Sequence, residues 1–327
     1  MREVVKAISP KSLTNPMTLK EAKNFVLDQK LALMLDSLKI VFDPKTPEEN
    51  TILEPTTLSL EKNKIYFIIG DSGVGKTTLI THFNGLLKSK HGNIFLLNNC
   101  KIYGKKRHIP KYKKLRKTVG MVFQFPEYQL FKDNIVKDVM FGPVNLGVKK
   151  QEAQELAIKY LKQMGIGEDL YSHSPFELSG GQKRRVALAG ILAIQPEILV
   201  FDEPAAGLDP AGISSILNFI KGLKNQNKTI IITTHDMNQV LQMADKVIVL
   251  ADKKVKYFDT PYNIFRNKEL LSSTTIIKPM VIQMIDLLIS KNKMFTSLYD
   301  MQPKTIEELA ECLIKLVDKK GKKCKTH

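Results

Sequence analysis

This sequence of 327 residues lacks long hydrophobic runs, has few cysteines, and has fewer acidic than basic side chains. No apolar run approaches the roughly 20 residues that a membrane-spanning helix requires. The segment 1–16 contains no continuous apolar stretch, so it does not resemble a secretory signal. Together these absences predict a protein of the cytosol, or of the cytosolic face of a membrane.

The three cysteines, Cys100, Cys312 and Cys324, stand far apart, and no two of them form a Cys-x-x-Cys pair. This spacing indicates neither a disulfide framework nor a zinc site. The chain also shows no internal repeat. Its length suits one large hydrophobic core with a smaller appended part.

The charge is strongly unbalanced, because 50 basic residues face 33 acidic ones and give a net charge of +17. Nucleic acid, an anionic membrane surface or a general compositional bias would each explain the excess. Aromatic residues rarely alternate with the basic ones, and no nucleic-acid-binding signature appears, even in the denser runs 101–117 and 319–325. We therefore predict compositional bias and proximity to a membrane, and no specific nucleic-acid site.

A glycine-rich loop follows a short apolar run at 65–69 that predicts a buried strand. Apolar residues at helical spacing follow the loop, up to Leu87. Glycines let backbone N–H groups approach phosphates, and a helix start favours anions, so this strand–loop–helix pattern predicts the phosphate cradle of a P-loop nucleotidase. Lys76 is expected to reach the outer phosphates and Thr77 to bind Mg²⁺. The predicted nucleotide-binding residues of this loop are Gly70, Asp71, Ser72, Gly73, Val74, Gly75, Lys76, Thr77 and Thr78.

A second apolar strand, predicted at 198–201, ends in two carboxylates, Asp202 and Glu203. A carboxylate such as Asp202 suits Mg²⁺, directly or through water. Glu203 suits a general base that polarises an attacking water. Because phosphoryl transfer needs the metal held from both sides, this strand end and the glycine loop together predict a Walker B element.

The pattern of periodicities predicts three regions. Residues 1–30 are an extension in which Thr18 begins a capping box and a short helix. Alternating strands and helices up to about 265 predict a mostly parallel sheet covered on both faces. Amphipathic stretches in 266–327 predict a small helical C-terminal domain with a basic tail. The predicted strands are 32–42, 57–60, 93–97, 198–201, 229–233 and 246–250, with a turn at 43–47, helical segments at 125–189 and 213–223, an amphipathic segment at 279–290 and a capping box at 305–308.

The segment Leu178-Ser179-Gly180-Gly181-Gln182 opens a helix and forms another anion-accepting helix N-terminus. One chain thus carries two predicted phosphate-binding segments more than 100 residues apart. This separation suggests that the LSGGQ segment binds a nucleotide held by another subunit. Over about residues 31–265 the sequence resembles the ATP-binding cassette (ABC) ATPases, whose signature is LSGGQ.

The resemblance implies an α/β P-loop fold with a mostly parallel core sheet, an antiparallel β subdomain and a helical signature subdomain near 125–190. It implies ATP and Mg²⁺ as cofactors. It also implies that Gln124 contacts Mg²⁺ and senses a transmembrane partner, and that His235 contacts the γ-phosphate. Phe42 stands where an aromatic side chain often stacks on adenine, and 206–209 resembles the D-loop that links two sites. Ser179, Gly180, Gly181 and Gln182 are the implied signature contacts.

Four stretches, 123–131, 141–143, 182–190 and 202–210, look like the ATPase subunits of energy-coupling factor (ECF) importers for vitamins or transition-metal ions. The pattern is closer to the second of the two paralogous ATPases. The resemblance implies a second ATPase subunit (a paralogue or another copy), a transmembrane scaffold subunit and a substrate-binding membrane subunit. Two departures are the long N-terminal extension and the turn at 43–47, which replaces a glycine-containing turn.

Two other functions remain open at this level. The positive charge suggests a soluble ABC protein that acts on ribosomes or DNA, although the chain has neither a second cassette nor a long coiled-coil insertion. A regulatory cassette that binds ATP without useful hydrolysis is disfavoured by the intact Glu203, His235 and signature. The sequence leaves the transported compound open, because in the resembling family another polypeptide recognises it.

Overall fold

The computed structural model describes residues 30–44, 46–89, 91–96, 100–101 and 112–323. The predicted helix that begins near Thr18 lies outside these residues. Among the residues described, no helix combines the length and the apolar character needed to cross a membrane.

A six-stranded sheet with the order β10-β9-β3-β8-β7-β6 forms the centre of the fold. Its neighbouring strands are parallel except for the edge pair β10 and β9. Runs such as Ile65–Ile69 are buried at every position, as expected for a sheet covered on both faces. The mostly parallel α/β architecture is therefore confirmed. The strands are β3 (Ile65–Ile69), β6 (Val119–Val122), β7 (Ile198–Asp202), β8 (Thr229–Thr233), β9 (Lys246–Ala251) and β10 (Lys254–Asp259).

Side chains of the central sheet alternate between two hydrophobic clusters. In β3, Phe67 and Ile69 enter the cluster that most of the helices cover. Tyr66 and Ile68 enter the second cluster, which contains the first helix after β3 and the smaller sheet. This period of two places the central sheet as the middle layer of the fold.

The smaller sheet is antiparallel, with the order β2-β1-β4-β5. Its second strand begins at Asn50, earlier than the predicted start at Thr57. The exposed Pro55 interrupts the sequence pattern, but β2 is an edge strand and its register with β1 shifts around Pro55, a setting that tolerates proline. The strands are β1 (Leu31–Phe42), β2 (Asn50–Glu61), β4 (His91–Leu96) and β5 (Cys100–Lys101).

The helix after the glycine loop is shorter than predicted. It ends at Phe83, and the prediction of helix up to Leu87 was wrong. Gly85 adopts the left-handed region with φ +74°, and the N–H groups of Leu86 and Leu87 donate to the carbonyl of Thr81 at 3.1 and 3.2 Å. A left-handed glycine of this kind is a common helix stop.

Three helices form the layer that carries the LSGGQ segment. In Lys150–Gln163 an apolar stripe is buried at Ala153, Ala157 and Leu161. Gly165, with φ +66°, follows the end of this helix. Among the described residues up to β10, the α-helices are α1 (Lys76–Phe83), α2 (Tyr112–Thr118), α3 (Ile135–Asn145), α4 (Lys150–Gln163), α5 (Gly180–Leu192), α6 (Pro210–Asn225) and α7 (Met237–Met243).

The C-terminal helices pack on the main core. Phe265, Ile282 and Leu309 are buried in the same cluster as one face of the central sheet. The hydroxyl of Tyr262 donates to the carbonyl of Pro303 at 2.5 Å and ties the first of these helices to the segment before the last. The boundary near residue 266 remains a prediction. The helices are α8 (Pro261–Arg266), α9 (Lys268–Ser272), α10 (Met280–Lys291), α11 (Leu298–Met301) and α12 (Ile306–Lys323).

Candidate functional site

Four segments that carry predicted site residues meet at one edge of the central sheet. The glycine loop follows β3, Gln124 follows β6, Asp202 ends β7 and His235 follows β8. These strands are parallel, and their pairing sets Asp202 opposite Thr233. The carboxyl ends of parallel strands are where such sheets bind ligands. The topology therefore brings these four segments together, whereas the LSGGQ segment lies at the start of a helix.

The backbone of the loop after β3 requires glycine at two positions. Gly70 has φ +149°, and a Cβ there would lie 2.3 Å from the carbonyl oxygen of Leu250. Gly75 has φ +103°, and its Cβ would lie 2.5 Å from Cγ2 of Ile52. Gly75 also precedes α1 without a side-chain cap, so the helix presents its first N–H groups beside the loop.

Lys76 curls back over the same loop. Its Nζ donates to the carbonyls of Gly70 at 2.8 Å and Asp71 at 3.0 Å. Burial lowers the pKa of Lys76, and the carboxylates of Glu203, Asp71 and Asp202 act in the opposite direction. The ammonium group is thus partly desolvated beside the Asp202–Glu203 strand end.

Thr233 holds the carboxylate end of β7. The buried Asp202 accepts a hydrogen bond at Oδ1 from the Thr233 hydroxyl at 2.6 Å. The backbone N–H of Glu203 contacts both the hydroxyl and the carbonyl oxygen of Thr233, each at 3.1 Å. Glu203 has φ +48°, an uncommon backbone for a non-glycine residue. This strained turn directs the chain away from the strand directly after Asp202.

Glu203 and His235 form a hydrogen-bonded pair. Nδ1 of His235 lies 2.9 Å from Oε2 of Glu203. The Glu203 side chain is 19% exposed, whereas that of His235 is 79% exposed. Because an ionised carboxylate only accepts, Nδ1 of His235 carries a proton in this contact. The imidazole therefore fixes one carboxylate oxygen at the mouth of the site.

The LSGGQ segment forms a complete capping box at the start of α5. The N–H of Ser179 donates to Oε1 of Gln182 at 2.9 Å, and the N–H of Gln182 donates to the Ser179 hydroxyl at 3.3 Å. A Cβ at Gly180 or Gly181 would meet no atom within 4 Å. The start of this helix is therefore an exposed surface with a fixed backbone.

Sequence reasoning missed two residues that hold the site. Thr233 is the first. The second is Arg184 of α5, which is 8% exposed and donates to the carbonyls of Pro204 and, at 3.2 Å, Ala206. Burial lowers the pKa of this guanidinium. The two hydrogen bonds join α5 to the segment after Glu203. The spacing of residues along the sequence does not indicate these partners.

Two predicted ligand residues are placed but their roles stay predictions. Gln124 is exposed beyond the end of β6, and Phe42 is 39% exposed at the end of β1. Within the described ranges, no group of three or more His, Cys, Asp or Glu side chains forms a metal cluster.

Residues 53–206 match the family model described as ABC transporter. The energy-coupling factor transporter ATP-binding protein EcfA2 of Mycoplasmoides gallisepticum is 52% identical over 290 residues, which cover 87% of this chain and 91% of the relative. The protein of the same name from Mycoplasma genitalium is 49% identical over 289 residues, covering 88% and 95%.

Two solved structures are also similar. CbiO1 from Clostridium perfringens, part of the ABC transporter complex CbiONQ, superposes with a TM-score of 0.62 and 35% identity, covering 74% of this chain and 94% of that one. A dimeric ATP-binding cassette in a post-hydrolysis state with ADP and phosphate gives a TM-score of 0.61 and 26% identity, covering 70% and 98%. The chain therefore belongs to the family of energy-coupling factor transporter ATP-binding proteins within the ABC ATPases.

Proposed function

We propose that this chain hydrolyses ATP as one of two ATPase subunits on the cytoplasmic face of an ECF-type importer for vitamins or transition-metal ions. The observation that carries the proposal is the Glu203–His235 pair at 2.9 Å, placed on the sheet edge that also carries the glycine loop. A carboxylate held by an imidazole beside a phosphate cradle is the arrangement needed to direct water at a phosphoryl group.

The residues present fit ATP and Mg²⁺. Gly70 and Gly75 allow the tight backbone of the loop. The loop leads into the N-terminus of α1, where backbone N–H groups favour phosphates. Thr77, Gln124 and Asp202 would supply oxygen ligands, which Mg²⁺ prefers, and one carboxylate with substrate phosphates is a usual Mg²⁺ site. When bound, Mg²⁺ would neutralise charge on the outer phosphates.

The protein's own residues carry the remaining steps. Lys76 exchanges its hydrogen bonds to loop carbonyls for the outer phosphates. Glu203 orients the attacking water and accepts its proton, while His235 holds the carboxylate and contacts the γ-phosphate. The Thr233 hydroxyl holds the carboxylate of Asp202, which would bind Mg²⁺. Phe42 stacks on the adenine ring.

The signature segment serves the nucleotide of a second ATPase subunit. Its exposed helix start, 179–182, has an orientation fixed by the capping box, and an open N-terminus favours an anion. Two subunits therefore close head to tail around two ATP molecules. Exposed apolar side chains on the C-terminal helices support a further contact between the subunits, namely Met280, Met284, Leu287, Ile314 and Val317.

An apolar groove beside α3 and α4 suits a helix from the transmembrane scaffold subunit. Its cavity of about 640 Å³ is lined by Met140, Phe141, Val144 and Ile158 among others. Phe131 stands next to it and meets Phe141 edge to face, with ring centroids 4.8 Å apart. Exposed apolar surface of this kind marks an interaction site. A separate membrane subunit that binds the transported compound completes the importer.

The alternative of a soluble ABC protein on ribosomes or DNA is not favoured, because the relatives above are named as transporter subunits. Co-purification separates the two functions. Detergent extraction together with membrane proteins supports the importer, whereas nuclease-sensitive sedimentation with ribosomes supports the alternative.

Exchange of Glu203 tests the hydrolytic role. In the membrane-extracted complex, Glu203→Gln should abolish ATP turnover and retain ATP binding. Glu197→Gln is the matched control, because Glu197 is exposed at the opposite end of the same strand and should leave turnover unchanged. Near-normal hydrolysis by Glu203→Gln would remove this carboxylate from its proposed role.

A further inference from the structure

The segment 273–279, which we call the linker, joins α9 to α10 and passes beside the nucleotide site. It reaches the glycine loop through Thr275. The N–H of Thr275 donates to Oδ1 of Asp71 at 3.3 Å, and the Thr275 hydroxyl donates to the same oxygen. These partners are 204 residues apart in the chain, so the contact belongs to the tertiary fold.

Asp71 is bonded at both of its ends. Its carboxylate accepts from Thr275, and its carbonyl oxygen accepts from Nζ of Lys76 at 3.0 Å. The same carboxylate acts on the charge of Lys76, as one of the groups that raise the pKa of this lysine. A change in the position of Asp71 therefore reaches the side chain proposed to bind the outer phosphates.

A second contact joins the end of the linker to the segment after His235. The N–H of Met280, the first residue of α10, donates to Oδ1 of Asn238 at 2.9 Å. Asn238 lies in the first turn of α7, whose N-cap Asp236 directly follows His235. The C-terminal helices are thus tied to both sides of the nucleotide site.

The linker is anchored firmly on the C-terminal side. Ile276 and Pro279 are buried. Lys278 pairs with Asp286 of α10, and its carbonyl oxygen accepts from Nε2 of Gln283 at 2.7 Å. These contacts tie the end of the linker to α10.

We propose that Thr275 is a positioning residue for ATP binding, through which the linker couples the C-terminal helices to the phosphate loop. The inference rests on the proposed function. A carboxylate in a phosphate loop repels an approaching triphosphate. The N–H and the hydroxyl of Thr275 hold the Asp71 carboxylate on the side of the C-terminal helices. The carbonyl oxygen of Asp71 then faces Lys76. Because coupling of this kind is reciprocal, ATP must in turn stabilise the linker contact.

Binding of the ATP analogue AMP-PNP with Mg²⁺ to the full chain, measured by calorimetry, tests the coupling. Thr275→Val keeps the shape of the side chain and removes the hydroxyl donor, so it should weaken binding about threefold to tenfold. Thr275→Ser should restore the wild-type affinity. Ser273→Ala is the matched control, because the Ser273 hydroxyl bonds to Leu270 and Lys256 and should not affect binding.

A double-mutant cycle and hydrogen exchange complete the test. In an Asp71→Ala background, Thr275→Val should have no further effect on affinity, because the two residues act as a unit. AMP-PNP should slow amide exchange in the peptide that contains Thr275 and Met280, and Asp71→Ala should remove this protection.

The outcomes separate this inference from the proposed function. Wild-type affinity in Thr275→Val, or additive effects in the cycle, would overturn the coupling while the proposed function stands. Failure of the wild-type chain to bind AMP-PNP at all would overturn both.

Discussion

Thr233→Val isolates the hydroxyl that holds the carboxylate end of β7. Thr233 is fully buried, and valine fills the same volume, so the change removes polar contacts without opening a cavity. The lost contacts are the 2.6 Å bond to Asp202 and the 3.1 Å contact with the Glu203 N–H. The second N–H contact, to the carbonyl oxygen of Thr233, remains.

The expected loss of stability follows from the charge of the acceptor. A hydrogen bond to a charged group contributes about 1.5–3 kcal/mol to the free energy of unfolding. At about 2 °C per kcal/mol for a chain of this size, the melting temperature should fall by about 3–6 °C. Thr229→Val at the other end of β8 is the matched control. Its hydroxyl accepts one bond from the Asn63 N–H at 3.1 Å, worth about 0.5–1.5 kcal/mol.

Two assays distinguish a structural effect from a positioning effect. Thermal unfolding without nucleotide gives the stability of each variant, and ATP turnover in the membrane-extracted complex gives kcat. In Thr233→Val the hydroxyl no longer holds Asp202 and the Glu203 backbone, so kcat should fall about tenfold to a hundredfold. Thr229→Val should keep wild-type turnover. Equal melting temperatures for the two variants, together with wild-type kcat in Thr233→Val, would refute this reasoning.

Three other changes follow from the same geometry. Gly70→Ala should abolish AMP-PNP binding in calorimetry, because its Cβ would lie 2.3 Å from the Leu250 carbonyl oxygen; wild-type affinity would contradict this. Burial lowers the pKa of His82, so the unfolded chain binds the proton first and stability falls as the pH drops below about 6.5. In urea titrations, the free energy of unfolding of His82→Gln should fall less than that of the wild type between about pH 7.5 and about pH 5.5. An equal decrease in both proteins would argue against this role of His82. Phe141→Ala should release the membrane subunits during purification while AMP-PNP binding stays normal, and intact co-purification would exclude the groove.

The motifs could be predicted because each is a local run, at the end of a strand or, for LSGGQ, at the start of a helix. The apolar run Ile198–Asp202 indicates both a buried strand and a carboxylate at the end of that strand. Parallel pairing then brings such strand ends together at one edge of the sheet. The start of α6 is local in the same way, since Oδ1 of Asp209 accepts from the Gly212 N–H at 2.9 Å. Local chemistry decides both features.

The errors and omissions arise where tertiary contacts or single residues override the periodicity. The helical spacing of apolar residues predicted that α1 includes Leu86 and Leu87. The helix ends at Phe83 because Gly85 adopts a left-handed backbone. The contacts made by Arg184 and Thr275 join segments 20 to 204 residues apart. No window along the sequence contains both partners of such a bond, so only the folded chain reveals them.

The central claim is that the catalytic centre needs two ATPase chains, one with Lys76 and Glu203 and the other with Ser179. The direct measurement is ATP turnover per chain in fractions separated by size, with the mass of each fraction determined by light scattering. We expect turnover only in fractions that hold two ATPase chains. Full turnover in a fraction of monomers would contradict it.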